Sequence, residues 1–266
     1  MEIRGKVFVV TGAGGGIGSE LVYALLKNGA KVAAVDLRQE SLDTLKPTGK
    51  DTLSTHTLDI SDPDSVAQLP DKIIKTHGSI DGIINCAGII QPFVKVNDLG
   101  FDAIEKVMNV NFYGTLRMTK AFLPHLLKRP EAYVINFSSM GGFLPVPGQS
   151  VYGASKAAVK LLTEALYAEL LDTNVHVSVV FPGATATNIT KNSGVDIPKL
   201  AADDTKKQSF PMLSAEKAAD IVVKGIENNK PQIFTGKDSV FMNKLYRVNP
   251  VFATKFIAKK MKSLLK

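Results

Sequence analysis

Three residues able to exchange a proton with a substrate oxygen follow one apolar run of this chain. Ser139 follows the run Tyr133–Phe137, separated from it by one other serine. Tyr152 and Lys156 come later in the chain and lie four residues apart. Residues at that spacing project from one face of a helix. An ammonium beside a phenol stabilises the phenolate, so we expect Lys156 to lower the pKa of Tyr152 from about 10. Such a tyrosine can act as a general acid or base, with Ser139 holding the same oxygen.

A glycine-rich turn lies far upstream, where the apolar run Val7–Val10 gives way to a helical pattern. Its glycines are spaced Gly-x-x-x-Gly-x-Gly, which differs from the standard dinucleotide fingerprint. Glycine permits a tight turn and close approach to a pyrophosphate, and the following helix directs free N–H groups at it. The position between a strand and a helix therefore predicts a dinucleotide site. The predicted contacts in this turn are Gly12, Gly14, Gly16, Ile17 and Gly18.

An acidic residue ends the next apolar run. Asp36 lies 18 residues after Gly18, where a carboxylate can accept both hydroxyls of an adenosine ribose and repel a 2′-phosphate. Neither Gly15 nor Leu37 is basic, and Arg38 is the one nearby cation that favours a phosphate. We therefore predict NAD as the cofactor and keep NADP as the alternative.

Strand-like runs alternate with helix-like segments along the chain, which is typical of βαβ units. Many of the runs are continuously apolar, as expected where helices cover both faces of a parallel sheet. Right-handed crossovers then give an α/β fold, a Rossmann-type doubly wound parallel sheet of about seven strands. The predicted strands are Val7–Val10, Lys31–Asp36, Thr52–Leu58, Gly82–Cys86, Tyr133–Phe137, His176–Phe181 and Gln232–Thr235.

The intervening segments carry helical periodicity, near residues 17–28, 38–46, 63–76, 101–128, 151–172 and 215–228. Asp62 and Pro63 fit an N-cap followed by proline at the first helical position. Pro124 should kink or end the long fifth helix. We predict a single dinucleotide-binding catalytic domain over residues 1–238, with a polar substrate flap at 188–213 and a helical C-terminal extension at 239–266.

The composition is that of an ordinary globular protein, 266 residues with 45% hydrophobic and 21% charged side chains. A lone cysteine, Cys86, excludes an intrachain disulfide and suits a reducing compartment. We see no signal-peptide pattern and no membrane-spanning run. We therefore expect a cytoplasmic protein, and we assign no metal ligands.

The net charge of +7 belongs to the C-terminal extension. Seven of the 32 basic residues follow Asp238 and none of the 25 acidic ones does, so the charges of residues 1–238 cancel. This distribution argues against nucleic-acid binding. Segment 251–265 reads as a basic amphipathic helix, which could lie peripherally on a membrane or pack on protein. We keep both interpretations.

These motifs together resemble the short-chain dehydrogenase/reductase family over roughly residues 5 to 236. The resemblance implies NAD(P)(H)-linked oxidoreduction on one Rossmann-type domain, and a homodimer or homotetramer. The motifs that carry it are Thr11-Gly-x-x-x-Gly-Ile-Gly18, Asn85-Cys-Ala-Gly88, Asn111, Ser139, Tyr152-Gly-Ala-Ser-Lys156 and Pro182-Gly183.

The resemblance also implies residue roles. Tyr152 would be the acid/base, Ser139 the partner of the substrate oxygen, and Lys156 the group that lowers the tyrosine pKa and holds the nicotinamide ribose. Asn111 would hold a water that relays protons from Lys156, and Ser138 competes with Ser139. Further implied cofactor contacts are Leu37, Asp59, Ile60, Asn85, Ala87, Gly88, Pro182, Gly183, Thr185 and Thr187.

The residues expected around the substrate are mostly apolar. They predict a hydrophobic secondary alcohol or its ketone, because polyols need several convergent polar groups. An alternative is that many of them belong to the core. The predicted substrate contacts are Ile90, Phe93, Met140, Phe143, Gln149 and Met212.

Two functions from different classes fit this sequence. The first is an NAD(H)-dependent alcohol dehydrogenase or carbonyl reductase. The second is a catalytically idle NAD(H)-binding sensor or scaffold, which would not need Asn111, Ser139, Tyr152 and Lys156 together.

Overall fold

The computed structural model describes residues 2–195 and 212–262. Seven strands in these ranges form one parallel sheet: β1 (Val7–Thr11), β2 (Lys31–Asp36), β3 (Leu53–Thr57), β4 (Gly82–Asn85), β5 (Ala132–Phe137), β6 (Val175–Pro182) and β9 (Gln232–Thr235). Their order is β3-β2-β1-β4-β5-β6-β9. The chain builds outward from β1 on one side and then, from β4, on the other. The predicted Rossmann-type doubly wound sheet is confirmed.

Two shorter strands, β7 (Thr185–Ala186) and β8 (Leu213–Ser214), pair in parallel beyond the end of β6. The α-helices of the described ranges are α1 (Gly16–Lys27), α2 (Gln39–Leu42), α3 (Pro63–His77), α4 (Phe101–Met108), α5 (Thr115–Leu126), α6 (Ser150–Glu169), α7 (Ile189–Asn192), α8 (Ala215–Glu227), α9 (Lys237–Val248) and α10 (Pro250–Lys260). The predicted cap of α3 is confirmed, since the Asp62 carboxylate accepts a hydrogen bond from the Asp64 N–H at 3.1 Å.

Helices cover both faces of the sheet, which explains its continuously apolar strands. Successive residues of a strand point to opposite faces. Val10 packs in one core with Leu21 of α1 and Val222 of α8. Its neighbour Val9 packs in another core on the other side, with Phe122 of α5. Both valines are fully buried, so apolar packing covers both faces of β1.

The winding reverses between β1 and β4, and this point is closely packed. The Thr11 hydroxyl accepts hydrogen bonds from the N–H groups of Cys86 and Ala87, both at 3.1 Å. A Cβ placed on Gly12 would lie 2.9 Å from the Ala87 Cα. The carboxyl ends of β1 and β4 are thereby held together, and this switch point is where doubly wound folds bind ligands.

The long fifth helix expected near residues 101–128 is interrupted. Between α4 and α5 lies a π-helical turn, Asn109–Gly114. Such a turn inserts one extra residue into the helical ladder and often marks a functional position. Pro124 lies inside α5, which ends two residues later.

The expected flap at 188–213 contains α7, and β8 begins at its last residue. Positions 196–211 lie outside the described residues. Beyond β9, the extension expected to be helical contains α9 and α10, and the helix expected at 251–265 is observed as Pro250–Lys260. Met242 of α9 and Ala253 and Ile257 of α10 are buried against Leu144.

Candidate active site

The glycine turn after β1 has the geometry of a phosphate cradle. Gly12 and Gly16 have positive φ angles of 68° and 54°, a conformation that other residues adopt at a cost. A Cβ on Gly18 would collide with the Gly12 carbonyl oxygen, so a side chain is excluded there as well. The turn leads into the N-terminus of α1, where unpaired N–H groups favour an anion. These residues fit a bound pyrophosphate.

Asp36 is fixed at the edge of this cradle. One carboxylate oxygen accepts the Gly14 N–H at 2.9 Å and the other accepts the Arg38 N–H at 3.1 Å. Gly14 thus orients the carboxylate instead of lining the cavity, which explains its place in the motif. The Leu37 side chain is 63% exposed beside it. This fixed carboxylate is suited to accept hydroxyl groups.

One cavity of about 680 Å³ joins the cradle to the proposed catalytic residues. It brings together predicted site residues from motifs that lie more than 150 residues apart in the sequence. The predicted residues that line it are Gly12, Gly16, Ile17, Asp36, Leu37, Asp59, Ile60, Ala87, Gly88, Ile90, Ser139, Tyr152, Lys156, Pro182, Gly183, Thr185 and Thr187.

Asn85 and Asn111 do not line the cavity and support its wall from behind. The Asn85 amide donates to the Asn136 side-chain oxygen at 2.8 Å. Asn111, in the π-helical turn, accepts the Ile89 N–H at 2.9 Å and donates to the Ile89 carbonyl at 2.9 Å and the Ser155 hydroxyl at 3.0 Å. The π-helical turn therefore places a buried amide against the segment after β4. The water relay through Asn111 stays a prediction.

The structure separates the two serines that follow β5. The Ser138 hydroxyl is buried and donates to the Lys156 carbonyl at 2.7 Å, inside the protein. The Ser139 hydroxyl is hydrogen-bonded to the Tyr152 side chain and accepts the Gly141 N–H at 3.0 Å. Ser139 is the serine that lies beside the tyrosine and the cavity.

The expected effect of Lys156 on Tyr152 is wrong for this structure. Burial raises the pKa of Tyr152, and the hydrogen bond with Ser139 opposes that rise. Burial also lowers the pKa of Lys156 to about 8. The Lys156 ammonium donates to the Phe137 carbonyl at 2.9 Å. Desolvation disfavours the charged form of both groups and is the largest cause of both shifts.

Cys86 lies in the cavity wall close to these groups. Burial raises the pKa of its thiol to about 12. The thiol is therefore protonated at neutral pH and is a poor nucleophile.

Sequence reasoning missed Gln91, which caps the helix that carries Tyr152. Its side-chain oxygen accepts the N–H groups of Val151 and Tyr152 at 2.8 and 2.9 Å, and its amide donates to the Gly148 carbonyl at 3.0 Å. The Gln149 amide donates back to the Gln91 carbonyl at 2.9 Å. A helix leaves its first N–H groups unpaired, and a fully buried glutamine from a distant loop supplies the acceptor here. No local pattern signals this contact.

Asp238 was missed as well, because it lies at the boundary predicted between domain and extension. Its carboxylate accepts the Ala184 N–H at 2.6 Å, next to the cavity-lining Gly183. The neighbouring Ser239 hydroxyl donates to the Phe181 carbonyl at 2.9 Å. The start of α9 therefore holds the segment after β6.

Most of the predicted substrate contacts lie outside the cavity wall. Met140 and Phe143 pack on the cluster formed with α9 and α10. Gln149 is buried and its amide is engaged by Gln91. Phe93 is half-buried outside the cavity, and Met212 borders a separate shallow hollow beside Gly16. Of the six, Ile90 lines the main cavity.

Fold and site together define a dinucleotide-dependent oxidoreductase of the Rossmann type. The short chain dehydrogenase family model matches residues 6–197. A putative oxidoreductase SadH from Mycobacterium tuberculosis is 32% identical over 260 residues, covering 93% of this chain and 92% of that protein. The chain belongs to the short-chain dehydrogenase/reductase family.

Solved structures show the same fold. A short-chain dehydrogenase/reductase from Burkholderia phymatum in complex with NAD is 25% identical, with a TM-score of 0.85 over 95% of this chain and 96% of that one. A short chain dehydrogenase from Burkholderia cenocepacia in complex with NADP is 28% identical, with a TM-score of 0.81 over 97% and 99%. Each of these two solved structures holds a nicotinamide dinucleotide.

Proposed function

We propose that this protein is an NAD(H)-dependent oxidoreductase that interconverts a hydrophobic secondary alcohol and its ketone, with Tyr152 as the acid/base. The observation that carries the proposal is the shared cavity. Ser139, Tyr152 and Lys156 line the same space as the glycine cradle and Asp36. A protein that only sensed the dinucleotide would have no need of a phenol and a serine hydroxyl paired beside it.

The hydroxyl groups of Ser139 and Tyr152 have different roles at the substrate oxygen. The bound dinucleotide supplies a nicotinamide ring that accepts or gives a hydride. Ser139 positions the substrate oxygen, while the Tyr152 hydroxyl gives it a proton in reduction or removes one in oxidation. Because burial raises the pKa of Tyr152, its hydroxyl holds its proton at neutral pH. The protonated phenol is the form that donates to the substrate oxygen in reduction.

The choice of NAD over NADP rests on Asp36. A carboxylate already anchored by two backbone N–H groups is a fixed negative charge where a 2′-phosphate would lie. Arg38, a cation two residues from Asp36, also lines the cavity. We weigh the carboxylate more heavily because its orientation is fixed.

The hydrophobic character of the substrate rests on apolar side chains in the cavity wall. These include Ile89, Ile90 and Ile189. Apolar side chains of this kind stabilise an apolar body and give a polyol few hydrogen-bonding partners. The proposed class is therefore an alcohol or ketone whose carbon skeleton is mostly apolar.

A substrate panel tests the proposal. Alcohols and ketones of graded polarity are incubated with NAD or NADH, and NADH absorbance is followed for the wild type and for Tyr152→Phe. We expect turnover of apolar members by the wild type and a loss of at least about a hundredfold in the variant. NADH binding, measured by fluorescence, should be retained, which shows that the variant is folded. Equal turnover by both proteins, or a preference for polyols, would contradict the proposal.

A further inference from the structure

The C-terminal helices carry large apolar and basic side chains that are exposed among the described residues. Ala253 and Ile257 are buried, so one side of α10 is committed to the domain. On the other side, Phe252 and Phe256 remain 53% and 37% exposed, and their rings stack with centroids 6.4 Å apart. The two phenylalanines therefore lie on a different face of α10 from Ile257.

Further large apolar side chains are exposed on α9 and at the junction of the two helices. They are Val240, Val248 and Val251. Exposed large apolar side chains that occur singly need no explanation, but a contiguous group of them marks an interaction surface. We call these residues, with Phe252 and Phe256, the tail face.

Positive charge surrounds the tail face. The exposed cations of α9, α10 and the residue pair that follows are Lys244, Arg247, Lys255, Lys259, Lys260 and Lys262. No acidic residue occurs in the sequence after Asp238. Exposed apolar side chains interspersed with cations on the same helices are complementary to an apolar layer with a negatively charged surface.

We propose that the tail face binds the surface of an anionic lipid bilayer, with Phe252 and Phe256 entering the interface and the lysines contacting lipid phosphates. A second copy of this chain is a poorer occupant, because a two-fold interface would bring two sets of like charges together. The binding is peripheral. No helix within residues 2–195 and 212–262 is long and apolar enough to span a bilayer.

A membrane bound at the tail face would lie close to the loop that follows Ser139. Met140 and Phe143, just after Ser139, pack on the inner side of the same helices. The loop that follows Ser139 therefore lies directly behind the tail face. This arrangement is independent of which substrate the enzyme uses.

Co-sedimentation of the full chain with vesicles tests the proposal. One set contains phosphatidylcholine alone and the other contains added phosphatidylserine. We expect the protein to pellet with the anionic set and to do so at least about tenfold less with the neutral set. Lys255→Glu/Lys259→Glu and Phe252→Ser/Phe256→Ser should each reduce pelleting by at least about tenfold.

Lys72→Glu/Lys75→Glu is the matched control. It makes the same charge change on α3, at two exposed lysines remote from the tail face, and should leave pelleting unchanged. NADH binding shows that each variant is folded. Equal losses in the control and tail variants, or pelleting that is insensitive to the phenylalanines, would overturn the proposal.

Two further outcomes identify a different partner and also overturn it. If polyglutamate displaces the protein from vesicles and binds it equally well without the phenylalanines, the partner is an acidic macromolecule. If Phe252→Ser/Phe256→Ser instead dissociates an oligomer, seen by light scattering, and leaves vesicle binding intact, the face joins copies of this chain.

Discussion

Replacing Lys156 with methionine should make this protein more stable while removing its activity. The ammonium is 4% exposed, and its hydrogen bond is to a neutral carbonyl, that of Phe137. No carboxylate is within ion-pair distance of it in the described part of the chain. Methionine has a similar shape and no charge, so Lys156→Met removes a buried charge without leaving a large cavity.

The magnitude follows from the pKa. Burial lowers the pKa of Lys156 from 10.5 to about 8. Each pKa unit corresponds to about 1.4 kcal/mol, so the buried ammonium destabilises the folded state by about 3 kcal/mol at pH 7. Losing the hydrogen bond to the Phe137 carbonyl costs about 1 kcal/mol. The net gain in the free energy of unfolding is about 2 kcal/mol.

The gain should depend on pH with a definite sign. Below about pH 8 Lys156 is charged in both the folded and the unfolded chain, so the full penalty applies. As the pH rises from about 8 towards 10.5, the folded state loses the proton and the unfolded state keeps it. The wild type therefore gains stability relative to the variant over that window. At about pH 9.5 the penalty falls to about 1.4 kcal/mol.

Urea unfolding of both proteins at about pH 7 and about pH 9.5 measures this difference. Lys160→Met is the matched control. Lys160 lies one turn further along α6, is 29% exposed and pairs with Glu164 at 2.7 Å. Its replacement should cost at most about 0.5 kcal/mol at both pH values. A Lys156→Met protein that is less stable than the wild type at pH 7, or a difference that does not change with pH, would refute the reasoning.

Two further predictions concern positioning and cofactor choice. Gln91→Ala should lower the free energy of unfolding by about 3 kcal/mol and speed amide exchange at Val151 and Tyr152, because both lose a buried acceptor. Hydrogen exchange read by mass spectrometry checks this, with the buried-hydroxyl variant Ser178→Ala as a control that should leave those two amides unchanged. Unchanged exchange in Gln91→Ala would contradict the capping role. Asp36→Ala should shift the ratio of the NADH and NADPH dissociation constants towards NADPH by at least about tenfold, measured by fluorescence. An unaltered ratio would remove Asp36 as the source of selectivity.

The features that the sequence alone determined depend mainly on interactions between residues close together in the chain. The strands were predictable because sheets covered on both faces require continuous apolar runs, such as Val7–Val10. The glycine turn was predictable because a pyrophosphate excludes side chains at Gly12. The shared face of Tyr152 and Lys156 follows from helix geometry. Each of these depends on residues within a few positions of one another, so their pattern is visible in one dimension.

Tertiary structure decided the remainder, because it depends on groups that are distant in the chain. Gln91 caps α6 from about 60 positions away in the sequence. A glutamine in a loop does not by itself indicate such a contact. Ser138 and Ser139 differ in role only because one side chain turns into the protein and the other meets Tyr152. The pKa of Tyr152 is raised because its hydroxyl is buried. The expectation that Lys156 would lower this pKa did not include the effect of burial. A pKa sums desolvation, charge and hydrogen bonding over all surrounding atoms, and only the folded chain fixes that sum.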